Sequence, residues 1–227
     1  MKAMHSLKSL LCILGLGAAS LSQAGVIPAG VQSNVSSATV AGWGWTECHR
    51  SGVSTQTAIS SVLSSCSGTH LMMGYSNSQG LYNILGAGTY AAVSAITYAN
   101  YNTDNNGAAL NNWSNGLNFY RTAGAGSWGF TTSNYTELSS ADVMLQNGVQ
   151  NYNGKNEGVA AMGISFHVNN GILTSGWAYN TTGNNFSGLN GGNRVFLQYT
   201  QNAVPEPGAM FLFGIGLFGL ALARRRR

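Results

Sequence analysis

Apolar positions along this 227-residue chain mostly alternate with polar ones in short runs, and Gly, Asn and Ser bound the runs. A two-residue period is the mark of half-buried strands. It predicts strands over 71–75, 90–98, 117–121, 128–132, 159–168, 172–179 and 195–200. One segment has a helical period instead. Ala58, Ile59, Val62 and Leu63 form a single stripe, with Ser54 as N-cap and Cys66 and Gly68 at the end. The alanines of 90–98 tolerate a helix as well as a strand. Asn- and Gly-rich stretches at 103–107 and 190–193 separate the runs. The pattern predicts a mainly β fold: a single antiparallel β-sandwich-like or compact β-rich domain with one short helix. Residues 25–38 read as a loose leader and 201–204 as a short tether.

The two ends break this pattern. At the start, Lys2 and Lys8 precede an apolar stretch from Leu10 to Leu16, and Ser22-Gln23-Ala24 supplies a small-x-small site before Gly25. That is a secretory signal peptide over 1–24, cut between Ala24 and Gly25. Cys12 lies within the apolar stretch and after Leu11, where a lipoprotein signal needs a small residue. At the other end, 208–223 is an uncharged apolar run that spans about 24 Å as a helix, a short transmembrane segment. Arg224, Arg225, Arg226 and Arg227 follow it as a stop-transfer cluster and hold the C-terminus in the cytoplasm. The residues before the helix then lie outside, in agreement with the signal peptide.

Just ahead of that helix stands Val204-Pro205-Glu206-Pro207, with two of the chain's three prolines. Proline restricts itself and its predecessor, so this segment is extended and rigid, a form that a processing enzyme can read. The Pro-Glu-Pro motif, apolar helix and arginine cluster together resemble the PEP-CTERM sorting signal of exopolysaccharide-producing Gram-negative bacteria. The resemblance covers 204–227, about a tenth of the chain. It implies an exosortase-type processing enzyme, a membrane-embedded cysteine transpeptidase, as partner, and cleavage near the motif. It says where the protein goes and assigns no activity to residues 25–203.

Removing both ends changes the charge. The formal net charge of +4 rests on Lys2, Lys8 and the four terminal arginines. From Gly25 to Val204 there are four cations (Arg50, Arg121, Lys155, Arg194) against five anions (Glu47, Asp104, Glu137, Asp142, Glu157). Without a basic patch to neutralise phosphates, nucleic acid is not an expected partner. The abundance of Gly, Asn, Ser, Thr and aromatics favours strands joined by polar turns.

Several groupings invite chemistry. Cys48 and Cys66 bracket the helix, with His49 beside the first and His70 after the second. Two thiols and two imidazoles form one reading, a zinc site. A disulfide is the reading favoured by an exported domain. A Cys-His pair, or a Ser-His-Asp triad using His167 with Asp104 or Asp142, has its residue types but no nucleophile-elbow motif. The five acids are scattered instead of paired for glycoside hydrolysis. Residues 102–107 imitate half of a calcium loop, but Trp113 stands where a bidentate glutamate belongs. No metal or cofactor is expected. Trp43, Trp45, Trp113, Trp128 and Trp177 could together present aromatic faces to sugars, or fill the core.

The resulting expectation is a non-enzymatic exported surface or extracellular-matrix protein of a Gram-negative bacterium. It is inserted in the inner membrane as a precursor, then released to the periplasm, outer surface or biofilm matrix. An exopolysaccharide-binding module at the same location is the alternative, and a periplasmic hydrolase a third reading.

Overall fold

The computed structural model describes residues 25–97, 112–132, 162–174, 178–181, 187–189 and 191–200, with the backbone of short strands at 137–139, 142–144, 151–152 and 155–156. In chain order the first elements are β1 (Val31–Ser36), α1 (Ser37–Gly42), β2 (Thr46–Gly52), β3 (Thr57–Ala58) and α2 (Ile59–Ser65). Next come β4 (His70–Ser76), β5 (Leu81–Thr89), α3 (Tyr90–Ser94), β6 (Trp113–Ser114), β7 (Leu117–Arg121) and β8 (Gly126–Thr131). Four short strands follow: β9 (Glu137–Ser139), β10 (Asp142–Met144), β11 (Asn151–Tyr152) and β12 (Lys155–Asn156). The last are β13 (Gly163–Asn169), β14 (Ile172–Leu173), β15 (Ala178–Asn180), β16 (Ser187–Gly188) and β17 (Asn193–Tyr199). They belong to a unit spanning Gly25–Gln201.

Two antiparallel sheets carry the fold. The first has the order β1-β5-β4-β17-β2, so the last of the described strands sits between two early ones. The second runs β16-β15-β13-β8-β7-β6, with β14 pairing both β13 and β3. Two of its hairpins turn on Asn-Gly. Asn115-Gly116 has φ of 52° and 79°, and Asn170-Gly171 has 49° and 74°. Such turns need positive φ twice, which Asn and Gly adopt at least cost and which matches strand twist.

One core lies between the sheets. Met73, Ile84 and Phe196 of the first sheet meet Phe119, Trp128, Phe130 and Phe166 of the second. Trp128 stacks on Phe196 across the gap with ring centroids 5.0 Å apart. A second core covers the opposite face of the first sheet, where Met72, Leu85, Val195 and Leu197 pack under Val40 of α1 and Trp45. Neighbouring residues on one strand thus enter different cores. This explains why 71–73 and 195–197 are continuous apolar runs instead of alternating ones.

The structure is mainly β with two antiparallel sheets, in line with the expected β-sandwich-like or compact β-rich domain, and corrects its details. Among the described residues there are three short helices, not one. The expected helix exists as α2, but it starts after Ala58 and not near Ser54, because Thr57 and Ala58 pair with Leu173 and Ile172. The strand placed over 90–98 is overturned at its start: Thr89 caps α3, its Oγ1 accepting from Ala92 N. Residues 25–38 are no loose leader, since Val31–Ser36 adds an edge strand along β5 and Ser36 caps α1. The strand drawn over 172–179 is broken into β14 and β15. Residues 1–24 and the apolar run 208–223 lie outside the described residues.

Candidate functional site

Cys48 and Cys66 form a disulfide with Cα atoms 5.2 Å apart. It ties edge strand β2 to the C-cap of α2. Both sulfurs are therefore committed, and the zinc and thiol-nucleophile readings lose their thiolates. The imidazoles beside them have structural surroundings. His49 packs edge-on against Phe196 with centroids 6.1 Å apart, and its Nε2 is buried without a hydrogen-bond partner. Burial, then the charge of Arg194, pushes the His49 pKa down, opposed by Glu47. His70 shares a hydrogen bond of 3.0 Å between its Nδ1 and Thr69 Oγ1, and burial lowers its pKa too. His167 lies on β13 opposite Ser127 of β8. Among the described residues no group of three or more His, Cys, Asp or Glu side chains could hold a metal. Asp104, the side chain of Asp142 and the calcium-like 102–107 segment lie outside the described residues.

The domain ends where its sorting tail begins. Tyr199 closes β17, and Val204, Pro205, Glu206 and Pro207 follow within eight residues, then the apolar run and Arg224–Arg227. Residues 203–227 match the PEP-CTERM protein-sorting motif. The motif implies an exported protein that is a target of an exosortase and is membrane-anchored before processing. Among curated proteins and among solved structures, none matches the chain. No helix of the described residues is long and apolar enough to cross a membrane, and the PEP-CTERM segment itself lies outside them.

The tryptophans do not assemble into one platform. Trp128 is fully buried between the sheets, its Nε1 donating to Val93 O at 2.8 Å. Trp45 is 3% exposed in the other core, its Nε1 donating to Val26 O at 2.9 Å and its ring tilted against Tyr199. Trp43 is half-buried against that same core. Trp113, on β6 at the end of the second sheet, is 43% exposed. Trp177 lies outside the described residues. An aromatic ring filling a core cannot offer its face to a ligand, so Trp45 and Trp128 leave the sugar-binding set.

Two cations that the sequence reading passed over stand out instead. Arg50 is answered by Glu47 through paired contacts of 2.8 and 2.6 Å on the surface of β2. Arg194 and Arg121 have no such carboxylate among the described residues. Arg194 is 0% exposed, and its Nη2 donates to Gly52 O, Val53 O and Thr55 O at 3.0, 2.5 and 2.7 Å. Its Nε and Nη1 are buried without partners, and burial pushes its pKa down to about 10. Arg121 ends β7 at a cleft of about 420 Å³ beside α2 and the Asn170-Gly171 turn. The available sequence signal was parity. Arg121 follows Leu117 and Phe119 at two-residue steps, and Arg194 precedes Phe196 by two, so both belong to the core-facing sides of their strands.

Proposed function

We propose that this protein is a non-enzymatic component of the cell surface or extracellular matrix, delivered by exosortase processing of its PEP-CTERM tail. The single observation that carries the reading is the sorting motif at 203–227, directly after a disulfide-bonded β-rich domain. Commitment of both sulfurs to the disulfide and dispersal of His49, His70 and His167 over three strands support a structural role. In this reading Pro205-Glu206-Pro207 is the recognition motif, the apolar run holds the precursor in the membrane, and the arginines stop translocation. Glu206 is the sole charged group of the motif, set between two rigid residues.

Glu206→Ala tests it in a host with the matching exosortase. Export and folding stay intact while precursor accumulates in the inner membrane, as read by fractionation and intact mass. Wild-type mature protein begins at Gly25 and lacks Arg224–Arg227. Mature native protein with Arg227 still attached, or unchanged processing of the Glu206→Ala variant, overturns the reading.

Exposure of Trp113 supports a second reading, an exopolysaccharide-binding surface at the same location. A glycan array with wild-type protein and Trp113→Ala decides it. Loss of a binding signal in the variant supports sugar recognition there, and an array without signal removes it.

A further inference from the structure

The cleft beside α2 contains a half-buried cation with no carboxylate beside it among the described residues. The Arg121 side chain makes no hydrogen bond among those described, and its Nε is buried without a partner. Burial pushes its pKa below the ordinary arginine value, yet a guanidinium stays protonated at neutral pH. A partly desolvated cation without an acceptor is an unfavourable arrangement that an arriving anion relieves.

The largest side chains around that charge are aliphatic, with Ser60, Thr122 and Asn170 adding polar groups. Ile59, Leu63, Ile96 and Ile172 line the cleft with Arg121. Ile96 is 56% and Ile172 38% exposed, two of the four large apolar side chains exposed among the described residues. Both sit on tethered backbone. Thr97 N donates to Arg121 O at 2.8 Å, and Arg121 N donates to Thr97 Oγ1 at 3.0 Å, which fixes Ile96 next to β7. Ile59 N donates to Gly171 O at 2.9 Å, and Ile172 pairs with Ala58, which fixes the other wall. The volume of about 420 Å³ falls within the range of small-molecule sites.

We propose that this cleft binds a small aliphatic carboxylate, with its head on the Arg121 guanidinium and its hydrocarbon chain along Ile59, Ile96 and Ile172. The planar fork of arginine matches a carboxylate through two parallel hydrogen bonds. The walls decide the rest of the ligand. They supply no aromatic face for a sugar ring, and one arginine answers a monoanion better than a phosphate dianion. A cationic amphiphile meets repulsion from the same group. The inference stands apart from the sorting role, and its failure leaves that role untouched.

Isothermal titration of the exported, disulfide-bonded protein tests it, using decanoate below its micelle-forming concentration. Decanoate is expected to saturate one site. Methyl decanoate and decyltrimethylammonium, which share the chain but not the anionic head, bind at least tenfold more weakly. Arg121→Gln lowers decanoate affinity at least tenfold, and Ile172→Asp does the same by placing a like charge on the exposed wall. Circular dichroism checks the fold of each variant. Should Arg121→Gln fail to fold, Ile172→Asp and the methyl ester comparison on wild-type protein still decide. No decanoate binding to wild type, equal binding of the methyl ester, or full affinity in a folded Arg121→Gln variant each overturns the proposal.

Discussion

The backbone nitrogen of Gly25 donates to the hydroxyl of Tyr199 at 3.1 Å, joining the start of the domain to the last residue of its final strand. Val26 N donates to Trp43 O at 3.0 Å beside it, and Ile27 packs into the second core. The expected signal-cleavage residue and the strand that leads to the sorting tail therefore meet at one place. A Cβ on Gly25 would run into the Tyr199 ring and come within 2.8 Å of Trp43 O. In the mature protein Gly25 N is the α-ammonium, so Tyr199→Phe should lower stability by about 1.5–3 kcal/mol, the value of a hydrogen bond to a charged group. Gly25→Val should cost more, because the ring and a backbone carbonyl must both give way. Denaturant unfolding of the mature proteins measures both. Equal stability of Gly25→Val and wild type would show that the segment does not dock in solution.

The disulfide closes a loop between residues 18 apart in sequence. In the chain-entropy treatment a loop of this size gives about 3 kcal/mol by restricting the unfolded chain. The paired Cys48→Ser, Cys66→Ser variant should therefore unfold at distinctly lower denaturant with nearly unchanged folded-state spectra. The bridge ties β2, an edge strand, to α2, so hydrogen exchange should rise first along 46–52 and 59–65. Exchange rising uniformly instead would mean that the bridge supports the whole sandwich and not this corner.

Some of this architecture was legible because its causes are local. Short apolar runs bounded by turn residues marked β4, β7, β13 and β17, and Pro205-Glu206-Pro207 with its arginines is a linear signal that needs no fold to be read. Other features depend on what packs where. Thr57 and Ala58 fit a helix start until β14 arrives from more than a hundred residues away to pair with them. Trp45 and Trp113 look equivalent in sequence, yet one covers the outer face of the first sheet and the other sits at the end of the second. Arg121 and Arg194 were counted as charges but not as sites, since net charge carries no information about which side of a strand a residue takes. The expected strand 117–121 already carried the parity of Arg121, whereas Arg194 lay before the expected strand 195–200 and took its parity only from β17 starting at Asn193.

His49 and His70 should make the stability of the domain acid-sensitive. Burial lowers both pKa values from 6.5, so between 6.5 and the folded-state values the unfolded chain holds more protons than the folded one. Stability then rises with pH through that window and levels off above it. Unfolding midpoints should fall as pH drops below about 6.5, the ordinary histidine value. His49→Gln and His70→Gln should each flatten the slope, as measured by thermal melts at a series of pH values. A slope unchanged in the double variant would assign the acid sensitivity to other groups.

Arg194 sets the energetics of the turn after β2. Its Nη2 gathers three carbonyl oxygens, Gly52 O, Val53 O and Thr55 O, while Nε and Nη1 remain without partners. Two effects oppose each other. Charge-assisted hydrogen bonds contribute about 1.5–3 kcal/mol each, but burying a cation costs several kcal/mol. In Arg194→Met the desolvation cost disappears along with the three contacts, and the carbonyls of the turn must find water. Because Gly52 and Thr55 are not fully buried, part of that loss is recovered by solvent, and the net destabilisation should be about 2–4 kcal/mol. Arg194→Lys should be less severe, since an ammonium still reaches some of the carbonyls. Denaturant unfolding gives the totals, and hydrogen exchange at Val53 and Thr55 locates them. Thr55 N donates to Gly52 O and Val53 N to Gly192 O, so both amides report on the turn directly. An Arg194→Met protein as stable as wild type, with both amides equally protected, would mean that desolvation cancels the contacts and that the guanidinium does not hold the turn.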